Sequence, residues 1–110
     1  MNTADILDKA ADLIEQRGWA QGYFVDHRGG LCARGAIYAA CGMEPDPDPH
    51  VRIVEWPGWN PADPAWDALC QLDTAVDDFA EMWNDAPERT KEEVVSALRA
   101  AAQAARESDG

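Results

Sequence analysis

An apolar stripe between residues 65 and 83 constrains the fold of this 110-residue chain more than any other feature. Its members alternate at spacings of four and three: Ala65, Leu69, Leu72, Val76, Phe79 and Trp83. At 100° per residue, this spacing places all of them within a sector of about 80° on a helix. Asn60 or Asp63 can cap such a helix, and prolines 61 and 64 are tolerated in its first turn. The pattern predicts one long amphipathic helix that ends near Trp83.

Three further helices are predicted from the same periodicity. The first covers about residues 3–17, with Asn2 or Thr3 as its cap and Gly18 as its end. The second covers residues 31–41 and contains mostly alanine and glycine, so we expect it to be central. The last starts at a capping box between Thr90 and Glu93 and continues through Ala105.

The segment between the second and third predicted helices is not helical. Residues 44–49 alternate acid and proline, which favours an extended spacer. Residues 51–54 are the best strand candidate and can pair with residues 23–25, although two short strands alone are marginally stable. Trp56 and Trp59 follow in a turn-rich loop. The sequence therefore predicts a mainly α, compact four-helix single domain over residues 1–110, with a proline-rich loop and a candidate two-stranded β-ribbon.

Negative charge is concentrated in one segment of the chain. Residues 44–88 carry twelve acidic side chains and one basic one, whereas the rest of the chain is nearly balanced; the total is −12. On the predicted third helix, acids occupy the side opposite the apolar stripe: Asp63, Asp67, Asp77, Asp78, Glu81 and, if the helix extends two residues past Trp83, Asp85. Like charges four residues apart on a helix cost about 0.2–0.5 kcal/mol per pair. A charge distribution with a direction favours a partner of opposite sign.

This acidic face predicts a docking surface for a basic protein partner; the alternative is a solvated face that only maintains solubility. The predicted contact residues are Asp67, Asp77, Asp78, Glu81, Asp85, Trp56 and Trp59. The two tryptophans are interface anchors in this hypothesis, while the alternative is that they pin their loop onto the core. Direct binding to nucleic acid is disfavoured because phosphates would be repelled. A nucleic-acid mimic that blocks a DNA- or RNA-binding enzyme is a further alternative.

Cys32 is the candidate centre if the protein is instead an enzyme. It follows a glycine turn at the predicted start of the second helix, where the helix dipole can lower a thiol pKa. His27 or His50 would then serve as the base. No catalytic signature surrounds Cys32, and the small side chains of its helix favour a packing role. Together with Cys41 and Cys70 it lacks the paired spacing of zinc sites, so we predict no metal and no cofactor.

The sequence also predicts the compartment. The first residues are polar, and no apolar run is long enough to span a membrane. An odd number of cysteines cannot form a complete set of internal disulfides. We therefore expect a cytoplasmic protein with no membrane contact. The oligomeric state stays open, and a structural subunit of a larger assembly is a third possibility.

Two motifs resemble a known family. They are G-x-C-x-x-G-A at residues 30–36 and W-N-D-x-x-x-R-T at residues 83–90, and both follow a first helix that leads to Gly18-Trp19. This combination resembles a family of small uncharacterised proteins from actinobacteria and their phages. The resemblance implies a phage-like or bacterial origin and no particular chemistry. We interpret the second motif as a corner between helices rather than as a binding site, because each of its residues has a local structural task. In this corner Arg89 bridges to Asp85 or to a carbonyl at the helix end.

Overall fold

The computed structural model describes residues 2–22, 25–26, 28–42 and 64–109, and five helices occupy most of these ranges. They are α1 (Thr3–Arg17), α2 (Ala33–Ala40), α3 (Pro64–Val76), α4 (Ala80–Asn84) and α5 (Lys91–Asp109). The mainly helical fold class is therefore confirmed. The radius of gyration is 12.5 Å, close to the value of about 13 Å expected for a compact domain of this size.

Helix α1 begins and ends where its sequence predicts. Asn2 Oδ1 accepts a hydrogen bond from the N–H of Asp5 at 2.8 Å and so satisfies a free donor of the first turn. Gly18 follows the last turn with a φ of 100°, which favours glycine, and its N–H donates to the carbonyl of Ile14. The helix packs against α5, α2 and α3. Its buried residues are Ala4, Ile6, Leu7, Ala10, Ala11 and Ile14.

Helix α2 starts at Ala33, two residues later than predicted, and Cys32 is its N-cap. The sulfur of Cys32 accepts a hydrogen bond from the N–H of Gly35 at 3.2 Å. The predicted central position is confirmed, because α2 packs against α1, α3 and α4 and nearly all its residues are buried. Its small side chains allow these neighbours to approach closely.

The prediction of one long third helix is wrong beyond Val76. Helix α3 ends there, Asp77 has a φ of 55°, and the separate helix α4 begins at Ala80. The break changes the angular phase of the apolar stripe, so Phe79, which was predicted to lie in the core, is 63% exposed. The rest of the stripe packs as predicted: Ala65, Leu69 and Leu72 are buried, and Val76 and Trp83 are partly buried. The described residues thus contain five helices where four were predicted for the whole chain.

Aspartate side chains stabilise this break. Asp73 Oδ1 accepts a hydrogen bond from the N–H of Ala80 at 2.7 Å, so a residue of α3 caps the first turn of α4. Asp78 Oδ1 accepts one from the N–H of Phe79 at 2.8 Å. Short acidic side chains compete with helical backbone hydrogen bonds, and Asp tolerates a positive φ better than most residues. The run Asp77-Asp78 was the available sequence signal for the break.

Helix α5 begins with the predicted capping box, which is confirmed. Glu93 Oε1 accepts from the N–H of Thr90 at 3.1 Å, and Thr90 Oγ1 accepts from the N–H of Glu93 at 3.2 Å. The helix then runs antiparallel to α1. Its buried residues are Val94, Val95, Leu98, Ala101, Ala102 and Ala105.

Strand pairing among the described residues consists of two isolated bridges at Leu31. This residue pairs with Trp19 in parallel and with Val25 in antiparallel fashion. The predicted ribbon partner, residues 51–54, and the proline-rich residues 44–49 lie outside the described ranges.

Candidate functional site

The predicted acidic residues lie along α3 and α4, on both sides of the break. Asp67 is exposed in the first turn of α3. Asp77 and Asp78 are exposed in the break, about 15 Å further along the helix axis. Glu81 lies in α4, and Asp85 follows its last turn. These five residues are called the acidic surface below; Trp56 and Trp59 lie outside the described residues.

Two members of the acidic surface also hold the fold together. The carboxylate of Glu81 is 3.3 Å from the guanidinium of Arg34, a buried residue of α2. Asp85 Oδ1 accepts hydrogen bonds from the N–H of Gly22 at 2.9 Å and from Nδ2 of Asn84 at 3.0 Å. These contacts tie α4 to α2 and to the loop after α1.

The other three members, Asp67, Asp77 and Asp78, form no ion pair within the described ranges. The arginines that form ion pairs there use other acids: Arg34 with Glu81, Arg89 with Glu93, and Arg99 and Arg106 with α1. The charges of these three carboxylates are therefore not neutralised by the described part of the chain. They can act on an approaching molecule.

Two large apolar side chains are exposed beside these carboxylates. Phe79 is 63% exposed and Met82 is 64% exposed, and no other large hydrophobic side chain of the described part of the chain is exposed. The inner side of α4 is instead fully buried at Ala80 and Asn84. This apolar pair was not predicted from the sequence. Phe79 belongs to the apolar stripe and was therefore expected in the core, and nothing in the pattern around Met82 distinguishes it as exposed.

Asn84 connects α4 to two other parts of the chain and is fully buried. Its Oδ1 accepts hydrogen bonds from Nε1 of Trp19 at 2.7 Å and from the N–H of Ala33 at 3.0 Å. Its Nδ2 donates to the carbonyl of Ala20 at 3.0 Å and to Asp85. All four hydrogen-bonding positions of the amide are therefore used. This arrangement leaves Asn84 no capacity to bind a ligand directly.

The remainder of the W-N-D-x-x-x-R-T motif forms the corner between α4 and α5. Nε of Arg89 donates to the carbonyl of Trp83 at 2.9 Å, and Nη1 donates to Glu93 at 3.0 Å. The guanidinium also lies over the Trp83 ring, 4.1 Å from its centroid. Of the two partners predicted for Arg89, the carbonyl at the helix end is confirmed, and so is the interpretation of the motif as a helix corner.

The surroundings of Cys32 favour the neutral thiol over the thiolate. It is 3% exposed, and burial raises the pKa of its thiol from 9.0 to about 11, although the N–H of Gly35 opposes this shift. The nearby Asp85 carboxylate raises the pKa further. The direction is opposite to the one predicted from the position of Cys32 beside a helix terminus, since burial outweighs the helix dipole. His27 and His50, the predicted bases, lie outside the described residues.

The described part of the chain offers no group of three His, Cys, Asp or Glu side chains placed to hold a metal ion. Its cysteines, Cys32, Cys41 and Cys70, form no disulfide. Among its helices, none combines the length and the apolar character needed to cross a bilayer.

Fold and surface define a small, mainly helical protein with an acidic surface and an adjacent exposed apolar pair. Residues 1–104 match the model of DUF6197, a family of unknown function, and the chain belongs to that family. The predicted resemblance to a family without an assigned function is confirmed at this level. Comparisons with curated proteins and with solved structures gave no match.

Proposed function

We propose that this protein is a non-enzymatic interaction protein that docks a basic protein through its acidic surface. The observation that carries this proposal is the exposure of Asp67, Asp77 and Asp78 without an ion pair in the described ranges. Carboxylates in such positions attract a cationic surface and orient its approach. This attraction weakens with salt, because the screening length is about 8 Å at physiological ionic strength.

The other predicted contact residues have secondary roles in this proposal. Asp85 adds to the negative field while its hydrogen bond from Gly22 fixes its position, and the charge of Glu81 is partly offset by Arg34. Trp56 and Trp59 would add apolar contacts, because exposed tryptophans frequently dominate binding energy at protein interfaces.

The setting we propose is the cytoplasm of an actinobacterial host, in a protein of phage or prophage type. The odd number of cysteines in the sequence supports a reducing compartment. The two sequence motifs support the actinobacterial and phage origin through their resemblance to proteins of that group.

The test is affinity capture from an actinobacterial lysate with three forms of the protein. These are the wild type, D77N/D78N, and the matched control E88Q/E92Q, in which two exposed acids elsewhere are neutralised. Asparagine keeps the side-chain oxygen that caps Phe79 and tolerates the positive φ at position 77. We expect the wild type and the control to capture the same basic protein and to release it at high salt.

The association rate with that protein should fall about tenfold for D77N/D78N at low salt and less at high salt. Equal rates for the two double variants would contradict the proposal. Duplex DNA added as a competitor distinguishes the narrower form of the hypothesis: displacement of this protein by DNA indicates nucleic-acid mimicry, and simultaneous binding excludes it.

A further inference from the structure

The exposed apolar pair, Phe79 and Met82, is held outward by contacts on the other side of α4. Ala80 is fully buried, and its N–H is bound by Asp73 at 2.7 Å. Asn84, one turn later, is fixed by four hydrogen bonds. The exposure of the pair is therefore a consequence of how α4 is anchored and not of a loose helix end.

The two exposed side chains stand together at the start of α4. Phe79 is the N-cap of the helix, with an extended backbone, and Met82 lies three positions later in its first turn. Met82 is two residues from both Ala80 and Asn84, which places it on the opposite side of α4 from these buried residues. Phenylalanine and methionine are both enriched at the centres of protein interfaces, and methionine adapts its shape to a partner.

The charges around the pair decide which partner can cover it. Asp77 and Asp78 directly precede Phe79, and neither forms an ion pair in the described part of the chain. A second copy of this chain would bring two such pairs of carboxylates together, and an anionic lipid or nucleic acid would add further negative charge. A cationic partner with an apolar surface removes water from Phe79 and Met82 and neutralises both aspartates.

We propose that Phe79 and Met82 anchor a basic amphipathic helix of the partner protein. Such a helix has an apolar stripe edged by lysines or arginines, and residues 77–82 offer the complementary arrangement in one short segment of the chain. Its apolar stripe covers Phe79 and Met82 while its cations meet Asp77 and Asp78. This inference rests on the proposed function and adds to it the chemical character of the partner and the two anchor residues.

The test uses two labelled peptides of the same lysine and leucine composition. One is ordered as an amphipathic helix, and the other is scrambled so that no apolar face forms. Fluorescence anisotropy at low and high salt gives the Kd of each peptide for the wild type, for F79S/M82S, for the conservative variant F79L/M82L and for D77N/D78N. Thermal unfolding checks that each variant is folded, which we expect because both positions are exposed.

The wild type should bind the amphipathic peptide at least about tenfold more tightly than the scrambled one. F79S/M82S should lose this preference but keep salt-sensitive binding of both peptides, and F79L/M82L should retain the preference. If F79S/M82S keeps the preference, the inference is wrong, while a loss of salt-sensitive binding in D77N/D78N still supports the proposed function. If neither F79S/M82S nor D77N/D78N changes binding, both this inference and the proposed function fail. A wild type that dimerises in sedimentation while F79S/M82S is monomeric would identify the pair as a self-association surface and overturn the inference.

Discussion

Two acidic regions in the described part of the chain differ in how far cations balance their charge. On α1, the acids face Arg99 and Arg106 of α5, with distances of 2.8 Å from Arg99 to Asp12 and 3.1 Å to Glu15. The α1 acids in these pairs are Asp5, Asp8, Asp12 and Glu15. On the acidic surface of α3 and α4, Asp67, Asp77 and Asp78 meet no cation in the described ranges. The same residue type therefore has an internal partner in one region and is available to an external one in the other.

The two regions also differ in how they are attached to the molecule. Helices α1 and α5 share a long interface of alanine, leucine, isoleucine and valine. Helix α4 has five residues and too little apolar surface for such an interface. It is held mainly by hydrogen bonds, and the side chain of Asn84 makes four of them. The comparison predicts that α4 depends on this one side chain far more than α1 or α5 depends on any single ion pair.

The largest expected effect is that of Asn84→Leu. Leucine would leave Nε1 of Trp19, the N–H of Ala33 and the carbonyl of Ala20 without their partner, and each buried unsatisfied group costs about 1–3 kcal/mol. We expect the free energy of unfolding, measured by urea denaturation, to fall by about 3 kcal/mol or more.

Met82→Ser is the control on the outer side of the same helix. Because Met82 is exposed, its replacement should change the free energy of unfolding by less than about 0.5 kcal/mol. A similar loss for the two variants would mean that the inner and outer sides of α4 are equally important for stability, which would contradict the dependence of α4 on Asn84.

An intermediate effect is expected when the charges of the two regions are removed separately. R99Q/R106Q breaks the pairs between α5 and α1, and exposed pairs of this kind contribute about 0.2–1 kcal/mol each. We therefore expect the free energy of unfolding to fall by about 1–2 kcal/mol at low salt and by less at high salt.

D77N/D78N should leave the free energy of unfolding unchanged or raise it by a few tenths of a kcal/mol, because it removes repulsion between like charges. Urea denaturation at two salt concentrations measures both, and a destabilised D77N/D78N would show that these aspartates have an internal role.

Both ends of α1 and the start of α5 were predictable because their signals are local. Asn2 caps α1 through a residue three positions away, and Thr90 and Glu93 cap each other across the same separation. Gly18 ends α1 through its own backbone conformation. The residues that form each of these caps lie within a few positions of one another, so the sequence alone predicts where the helix begins or ends.

The break between α3 and α4 was not predictable from the apolar stripe. In the sequence, the apolar spacing continues without interruption through Val76 and Phe79. The break arises because the side chain of Asp73 accepts the hydrogen bond of the Ala80 N–H in place of a helical carbonyl, and the spacing of apolar residues carries no information about that competition. The contacts of Asn84 were also hidden, since Trp19 and Ala33 are 65 and 51 residues away along the chain. The sequence therefore predicted where the acids lie, but it did not show which of them are already paired or that an apolar pair is exposed beside them.

The smallest expected effect is a difference in alkylation between two thiols, one engaged inside the fold and one open to solvent. Cys32 is buried as the cap of α2, whereas Cys70 is exposed on α3. Burial, followed by the charges of Asp73 and Asp67, raises the pKa of Cys70, and burial raises that of Cys32 to about 11. Alkylation followed by peptide mass spectrometry should modify Cys70 in the folded protein and Cys32 only after unfolding. Rapid modification of Cys32 in the folded state would instead support the enzyme hypothesis.

The reaction at Cys70 also measures the electrostatic potential of the acidic surface. Iodoacetate is an anion and iodoacetamide is neutral, so the ratio of their rates reports the local potential while accessibility and thiol pKa largely cancel. The ratio at Cys70 should be lower than for a free cysteine at low salt and should approach that value at high salt. D67N should raise it by about twofold at low salt, because one nearby negative charge is removed, whereas E92Q on α5 should leave it unchanged. A ratio that is insensitive to both salt and D67N would mean that the exposed carboxylates of α3 create no field strong enough to direct a cationic partner.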